Sequence, residues 1–402
     1  MQNSILSHST LECTGCGACS AACSKGALSI SLNDEGFFAP SVDKSRCVDC
    51  GACKNVCYRF QSTASYATIS EQRVIGCHSS NHYTHKTTTS GGIGYEIAKW
   101  GVENGYKVFG TIYNYERDEA ESVIVSSVSE LESIKGSKYI QGNTSSALRK
   151  FVDIASNDPK QGFIFLGTPC QIFGARELVR VKRFVNDIIF IDLFCHGVPS
   201  YLVWNPYVKE LRERLGKISN LNFRYKGNGW HQYSIKVVGE LGEYTGMAYR
   251  DTFYRYFFDN VALNASCFTC SLRKLHTAAD LRLGDFLGPQ FEHREDGISA
   301  VLVASQRGAD IMEDLTNRGI VTICGNYDAS VALCAQSTND YGRRSLRDDV
   351  ISNLKEGNIK DTIHWYFRQL PLKVRLRSFA KRCVAIMPIG IVIFLRRLSR
   401  NL

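Results

Sequence analysis

Runs of apolar residues along this chain of 402 residues predict strands and helices in mixed order. Near the start, ALSISL (27–32) and FFAPSV (37–42) flank the polar segment NDEG and predict two short strands around a turn. Two mostly apolar runs, GFIFL (162–166) and DIIFIDL (187–193), predict buried strands that each end close to a cysteine. ISAVLVAS (298–305) and GIVTIC (319–324) predict a further strand pair.

The segment SGGIGYEIAKWGVENGYKVFGTIY (90–113) predicts a glycine-rich loop, a helix and then a strand. Residues 61–73 are polar and lack strong periodicity, so they predict a linker. The pattern therefore divides the chain into a small N-terminal unit and a larger α/β body. In such bodies, functional groups commonly lie at the carboxyl ends of strands.

Composition is that of an ordinary globular protein, with 44% hydrophobic and 22% charged residues. The net charge of +9 comes almost wholly from Pro371–Leu402, which holds eight Lys or Arg residues and no acid. The rest of the chain holds 40 basic and 39 acidic residues. Nucleic-acid-binding proteins usually carry a basic face on the body, so this distribution argues against nucleic-acid binding.

The basic residues near the C-terminal end flank an apolar run from Cys383 to Leu395, which Pro388 interrupts. These 13 residues are too few to span a bilayer, which needs about 20. Basic clusters around a short apolar segment suit the surface of an anionic membrane. We therefore predict a basic helical tail that contacts a membrane surface or a partner; a helix packed on the body is the alternative.

Cysteines carry most of the candidate chemistry, since the chain has 16 and eight of them lie in two short runs. The runs share the spacing C-x2-C-x2-C-x3-C and lie 34 residues apart. This is the spacing of bacterial ferredoxins with two [4Fe–4S] clusters, in which the fourth cysteine of each run binds the other cluster. The predicted ligands of one cluster are Cys13, Cys16, Cys19 and Cys57, and those of the other are Cys47, Cys50, Cys53 and Cys23.

Two other uses of these eight cysteines fit less well. Zinc sites prefer paired cysteines, usually two pairs for each metal ion. Disulfides need an oxidising compartment and a secretion signal, and no leader is apparent. The cysteine content instead predicts a reducing cytoplasm and, given the tail, a position at the inner face of the membrane.

Four more cysteines lie at three places in the body: Cys170 and Cys195 follow the two predicted buried strands, and CFTC supplies Cys267 and Cys270. Because loops converge at strand ends, a shared metal site is one interpretation. Buried cysteines that act as small hydrophobic residues are the other. Zinc would compete with iron for four thiolates.

Six segments of the body form a set that appears in one order: TSGGIG (89–94), IKGSKYIQ (134–141), GTPCQIFGAR (167–176), DLFCHGVPS (192–200), FRYKGNGW (223–230) and CFTCSLRKLHTAADLRLGDFLG (267–288). The chain thereby resembles the coenzyme F420 hydrogenase/dehydrogenase beta-subunit family over roughly residues 1–300. The resemblance implies an FAD-binding oxidoreductase with a [4Fe–4S] cluster in the body. The implied ligands of this third cluster are Cys170, Cys195, Cys267 and Cys270. The cysteines that match no motif are expected to be packing residues: Cys77, Cys324, Cys334 and Cys383.

The resemblance also indicates which residues would bind the flavin. Ser90, Gly91 and Gly92 precede a predicted helix, whose amides and dipole suit a diphosphate. Without the resemblance a tight turn would be the better interpretation, because the GxGxxG fingerprint is absent. The other candidates for flavin or phosphate contacts are Lys138, Tyr139, Thr168, Gln171 and Arg176. A surface lysine beside a core tyrosine is the alternative for the first two.

His196 and Lys226 are the candidate catalytic residues. His196 adjoins an implied cluster ligand and either relays a proton or braces the loop. Lys226 and Trp230 are placed by motif to hold and stack a flat acidic substrate, although Trp230 suits the core equally well. The charged residues that alternate along the next strand are expected to form an internal network: Asp280, Arg282 and Asp285.

We therefore predict an α+β ferredoxin-like two-cluster module (1–60), a linker (61–73), a mixed α/β flavin-binding body (74–345) and the basic helical tail (346–402). The expected function is an iron–sulfur flavoprotein oxidoreductase, since a flavin couples one-electron to two-electron transfer. Its expected partners are a redox donor or acceptor protein and a small-molecule hydride acceptor. The hydride acceptor is expected to be coenzyme F420 or an intermediate of polysaccharide biosynthesis. The alternatives are an electron-transfer subunit without flavin and a zinc-binding interaction protein.

Overall fold

A computed structural model of the protein describes residues 3–7, 12–248, 250–331, 346–384, 387 and 391. Cys334 and most of the sequence after residue 384, about which predictions are made above, lie outside the described residues. The strands are β1 (Leu28–Leu32), β2 (Phe38–Val42), β3 (Ala67–Thr68), β4 (Arg73–Ser79), β5 (Lys107–Asn114), β6 (Glu119–Val125), β7 (Gly142–Asn143), β8 (Phe163–Leu166), β9 (Ile188–Leu193), β10 (Ile218–Tyr225), β11 (Ser234–Gly239), β12 (Gly242–Met247), β13 (His276–Thr277), β14 (Leu281–Asp285), β15 (Ser299–Val303) and β16 (Val321–Asp328). The helices are α1 (Ala18–Ala22), α2 (Ala52–Asn55), α3 (His82–Thr87), α4 (Ile93–Glu103), α5 (Val128–Ile134), α6 (Ser145–Asn157), α7 (Pro169–Lys182), α8 (Tyr201–Leu215), α9 (Thr252–Phe258), α10 (Ser271–Lys274), α11 (Gln306–Asn317), α12 (Arg347–Glu356), α13 (Ile359–Gln369) and α14 (Leu372–Val384).

The N-terminal module consists of the antiparallel pair β1–β2 and the short helices α1 and α2. The two strands predicted around NDEG are therefore confirmed. Gly17 and Gly51 precede the helices with φ of 75° and 78°, a left-handed conformation that glycine adopts at no steric cost. At Gly17 a Cβ atom would lie 2.2 Å from Thr144 Oγ1, so glycine also lets the module approach the body closely.

The body is built on a nine-stranded mixed sheet in the order β16-β4-β15-β14-β9-β8-β5-β6-β7. Its centre, β14-β9-β8-β5, is parallel, and the wholly apolar β8 and most of β9 are buried. The strand pair predicted from 298–305 and 319–324 is wrong in its pairing. Both β15 and β16 pair with β4, which inserts between them and brings residues distant in sequence to the same edge.

The module is seated directly on the body, because α1 packs between α6 and α7 and shares a hydrophobic core with them. Hydrogen bonds to backbone carbonyls fix the first cysteine run: Thr144 Oγ1 donates to Cys16 O at 2.6 Å, and Asn264 Nδ2 donates to Cys13 O at 3.1 Å. The predicted linker is also attached, since β3 pairs with β13 and Ile69 is fully buried. The cysteine runs are therefore held against the sheet edge.

The predicted tail begins at residue 346, but in the structure the first C-terminal helices still pack on the body. α12 and α13 are helical as expected, but they bury Val350, Ile351, Ile363 and Tyr366 in the core formed with α8 and α9. The residues from 346 to 370 therefore belong to the body, and α14 is the helix that lies on its surface. Among the described residues, no helix has both the length and the apolar character needed to cross a bilayer.

Candidate redox site

The structure brings Cys57 of the second cysteine run to Cys13, Cys16 and Cys19 of the first. Burial raises the pKa of Cys57 to about 12, and the nearby thiolates of Cys16, Cys13 and Cys53 contribute. Burial, followed by the nearby Cys16 thiolate, raises the pKa of Cys13 to about 12. Burial also raises the pKa of Cys19, and the thiolates of Cys16, Cys13, Cys57 and Cys53 contribute to this shift. Such thiols ionise only beside a strong positive charge, and a coordinated metal supplies one.

The remaining cysteines of the two runs line one cavity at the module surface: Cys23, Cys47, Cys50 and Cys53. Cys50 is exposed and Cys53 is buried, so this cavity connects the protein surface with the inner group of thiols. The eight cysteines therefore lie in two adjoining groups, and their assignment as the ligands of two clusters stays a prediction.

The four body cysteines also lie together. Burial raises the pKa of Cys170 well above its usual value, with further contributions from the thiolates of Cys16, Cys270 and Cys195. Burial also raises the pKa of Cys267 to about 12, and Cys195 and Cys270 add to this shift. Cys170 follows β8 and Cys195 follows β9, and these parallel neighbours end at the same sheet edge. This edge therefore holds a third group of four thiols.

The body group approaches the module along α7. Cys170 lies in the first turn of this helix, and Gly174 lies one turn later. A Cβ atom at Gly174 would lie 3.0 Å from Cys16 Sγ and 2.9 Å from the Ala18 side chain. Sequence reasoning missed Gly174, although its i, i+4 relation to Cys170 within a helix was a usable signal.

The donor set fits iron–sulfur clusters, because it consists of thiols in groups of four, and of these twelve cysteines only Cys50 is exposed. Within the described ranges, no group of three or more His, Cys, Asp or Glu residues is arranged to hold a single metal ion. A [4Fe–4S] cube spreads its four ligands over four irons, so it requires a wider arrangement than one ion does.

A buried ion pair supports the loops of the body group. Arg282 Nε and Nη2 each lie 2.6 Å from a carboxylate oxygen of Asp192, and both side chains are inaccessible to solvent. Arg282 Nη2 also donates to Leu272 O at 2.9 Å, next to Cys270. Asp280 and Asp285 bind Arg176 and Arg224 in the same region, as the expected charge network requires.

Thr168 and Gln171 form a capping box at the start of α7, where Gln171 Oε1 accepts from the Thr168 amide at 2.9 Å. Thr168 Oγ1 lies 3.3 Å from Cys170 Sγ. Both residues therefore fix the helix turn that carries Cys170, and the hydroxyl of Thr168 is placed to donate to its sulfur.

The glycine-rich loop is packed against β4 and β15, since a Cβ at Gly91 would lie 2.5 Å from Cys77 O and 2.7 Å from Ser299 N. The Ser90 hydroxyl donates to Ile298 O at 2.8 Å, and the Gly91 amide donates to Ser299 Oγ at 3.0 Å. Gly92 begins α4 in a left-handed conformation. Several polar groups of the predicted diphosphate loop thus already have partners within the protein.

Lys226 lies beside this loop and does not point away from the protein. Its ammonium group donates to the carbonyl oxygens of His85, Ser90 and Asp296, the last two at 2.8 and 2.7 Å. Burial lowers the pKa of Lys226 to about 8. The contacts indicate a brace between two loops and α3, while the predicted catalytic role stays a prediction.

Lys138 and Tyr139 follow Ser137, whose amide donates to Thr89 Oγ1 beside the glycine-rich loop at 3.0 Å. Lys138 Nζ donates to Lys135 O at 3.0 Å and to Gly136 O at 3.1 Å, just beyond the end of α5, and burial lowers its pKa to about 7. Tyr139 stacks on Phe257 with ring centroids 4.9 Å apart. His196 contacts the same ring at 4.7 Å, so an aromatic path leads from Tyr139 towards Cys195.

His196 Nε2 donates to Phe257 O at 3.1 Å, and burial lowers the pKa of His196 to about 4. Trp230 is fully buried among Phe286 and Phe291, which agrees with the core interpretation of this residue. Sequence reasoning missed Arg224, which is buried between Tyr233 and Asp285. Arg224 Nε and Nη1 and Trp230 Nε1 are buried without a hydrogen-bond partner in the described protein.

Comparisons with known proteins agree with both parts of the chain. Residues 12–59 match the family model for the 4Fe-4S dicluster domain, and residues 161–327 match the model for the C terminus of the coenzyme F420 hydrogenase/dehydrogenase beta subunit. A solved structure of the xenon-derivatised F420-reducing [NiFe] hydrogenase complex from Methanosarcina barkeri is similar at 14% identity with a TM-score of 0.45, covering 75% of this chain and 93% of that chain. No curated protein matches the chain.

The predicted resemblance is thereby confirmed for both domains. A two-cluster iron–sulfur domain joined to this body indicates a redox role in electron transfer. The chain thus contains a 4Fe-4S dicluster domain at residues 12–59 and, at residues 161–327, a region similar to the C terminus of the coenzyme F420 hydrogenase/dehydrogenase beta subunit.

Proposed function

We propose that the chain is an iron–sulfur flavoprotein oxidoreductase in which three groups of cysteines form one continuous electron path. The observation that carries this proposal is the approach of Cys16 to α7, the helix that carries Cys170. Gly174 leaves no side chain between the module and the body at this point. A module that served only as a separate domain would not need its first cysteine run so close to the body cysteines.

The three groups follow one another. The cavity of Cys23, Cys47, Cys50 and Cys53 opens at the surface of the module, Cys53 lies close to the group that contains Cys57, and Cys16 of that group lies close to Cys170 of the body group. The outer cavity is thus the place where a redox donor or acceptor protein would dock. The direction of flow depends on potentials that the partner and substrate set.

FAD, when bound, supplies the exchange between single electrons and a hydride. Three donor atoms have no hydrogen-bond partner in the described protein: Arg224 Nε, Arg224 Nη1 and Trp230 Nε1. Carbonyl oxygens of an isoalloxazine ring are acceptors of the required kind, so these residues support binding of the ring. Ser90, Gly91 and Gly92 support the diphosphate less well, because their serine hydroxyl and one amide are already bonded.

We propose coenzyme F420 or a similar flat hydride acceptor as substrate; an intermediate of polysaccharide biosynthesis is the other candidate. Lys226 would act by holding Ser90 and Asp296 in place, and His196, neutral because of burial, would brace the Cys195 loop or exchange a proton there. One alternative is an electron-transfer subunit that serves a partner enzyme and binds no flavin. It is favoured by the glycine-rich loop, because the Ser90 hydroxyl and the Gly91 amide already have hydrogen-bond partners within the protein.

Anaerobic purification with measurement of iron and extractable flavin tests the proposal. Three cubes predict about 12 irons for each chain, and Cys170→Ser should lower this to about eight. Cys324→Ser is the matched control, because this half-buried cysteine belongs to none of the three groups. Iron without flavin would favour the electron-transfer subunit, and iron unaffected by Cys170→Ser would refute the body cluster.

The substrate is tested by mixing the reduced protein with coenzyme F420 and following deazaflavin absorbance without oxygen. Reduction at a rate that depends on Cys170 would support it. A protein that holds iron and flavin but leaves coenzyme F420 unchanged would exclude this substrate while leaving the electron path intact.

A further inference from the structure

The outer face of α14 exposes large apolar side chains in a regular pattern. Leu372, Leu376 and Phe379 have exposed fractions of 66%, 60% and 63%. Their spacing of four and three residues places them on one face of the helix. Val374 and Ser378 are partly buried, and Val374 packs on the body core, so the apolar face points away from the protein.

Basic residues border this apolar face. Lys373, Arg375 and Arg377 are exposed, and α14 contains no acidic residue. A soluble surface usually avoids a contiguous apolar stripe, and a stripe bordered by cations alone is the pattern of helices that lie on anionic membranes.

A second feature lies beside the same helix. A cavity of about 320 Å³ between α9 and α14 is lined by Arg250, Arg255, Phe379, Arg382 and Cys383. The guanidinium groups of Arg255 and Arg382 approach one ring, that of Phe367, at 4.6 and 5.3 Å from its centroid. Three arginines therefore converge on one space.

The charge in this cavity is incompletely balanced. Arg255 is 8% exposed, and its Nε is buried without a hydrogen-bond partner in the described protein. The carboxylate of Asp259 favours the charged form of Arg255, whereas the positive charge of Arg382 disfavours it. Guanidinium groups bind phosphate oxygens in a bidentate manner, so a phosphate group is the ligand that this cavity fits.

We propose that α14 lies on an anionic membrane and that the cavity between α9 and α14 holds the phosphate of a lipid headgroup. Phe379 links the two features, because it belongs to the exposed apolar face and also lines the cavity. A free phosphate compound would account for the arginines but not for the exposed stripe. The proposal is independent of the clusters and the flavin.

Flotation of the full-length protein with vesicles tests the proposal. We expect binding to phosphatidylcholine vesicles that contain phosphatidylglycerol, little binding to phosphatidylcholine alone, and loss of binding at high salt. Leu376→Ser combined with Phe379→Ser should reduce partitioning at least about tenfold. Arg382→Gln should reduce it about fivefold, the contribution typical of one basic residue near an anionic surface.

Leu241→Ser and Lys160→Gln are matched controls, since both residues are exposed and lie elsewhere, and both variants should bind as the unchanged protein does. Absence of binding, equal binding to neutral vesicles, or equal loss in the controls would overturn the proposal. A second arm measures the thermal shift caused by inorganic phosphate. If phosphate stabilises the protein through Arg382 while Arg382→Gln leaves vesicle binding unchanged, the cavity takes a free phosphate compound and the lipid assignment is wrong.

Discussion

Sequence motifs predict cofactor sites at the three cysteine groups and also at the glycine-rich loop. In the structure, the side chains of these two regions have different surroundings. The cysteines converge, since neighbouring thiolates act on Cys19 and on Cys170, and of the twelve only Cys50 is exposed. The glycine-rich loop instead bonds through the Ser90 hydroxyl and the Gly91 amide to Ile298 and Ser299 at the start of β15, and the Gly91 carbonyl accepts from the Ser79 amide at the end of β4. A metal-ligand spacing thus specifies a site closely, whereas glycine-rich composition also suits a loop that simply packs.

The largest effect should follow from breaking the ion pair beside the body cysteines. Arg282→Met leaves the Asp192 carboxylate buried and unpaired, which should reduce the free energy of unfolding by about 3–5 kcal/mol. Chemical denaturation measures this change. Addition of Asp192→Leu should recover much of the loss, and failure to recover would show that Arg282 acts in another way.

Gly174→Ala should separate the module from the body with a smaller effect on stability. The new methyl group would meet Cys16 Sγ and the Ala18 side chain, and such overpacking costs about 1–3 kcal/mol. We expect unchanged iron content but slower reduction of the body group, as measured by stopped-flow absorbance. Reduction at the original rate would contradict the proposed path through α7.

Lys226→Met tests whether the lysine beside the loop is structural. The loss of its hydrogen bonds to three carbonyl oxygens should reduce the free energy of unfolding by about 1–3 kcal/mol. A purely catalytic lysine would alter turnover and leave unfolding unchanged. Lys160→Met, at an exposed position, serves as the control.

The smallest effect concerns pH and the buried His85 beside Lys226. Burial lowers the pKa of His85 below its ordinary value of about 6.5, and the neighbouring His78 and Lys226 act in the same direction. The unfolded chain therefore binds a proton first as the pH falls, so the free energy of unfolding should decrease from pH 7 to pH 5. His85→Gln should flatten this dependence in denaturation curves, and an unchanged slope would assign it to other groups.

Much of the fold near the cysteines could be predicted from sequence, because apolar runs such as 162–166 and 187–193 specify buried parallel strands directly. The insertion of β4 between β15 and β16 could not, since strand order depends on contacts between segments far apart in the chain. For the same reason, the roles of Arg224 and Gly174 could not be predicted. Their roles depend on neighbours that local sequence does not specify.

The carbonyls of Cys13 and Cys16 are held by Asn264 and Thr144, which lie 251 and 128 residues further along the chain. At typical synthesis rates of about 5–20 residues per second, the first cysteine run leaves the ribosome about 10–50 s before Asn264 does. During that interval the hydrogen bond from Asn264 to the loop cannot form. Complete docking of the module therefore has to wait until most of the body has been synthesised.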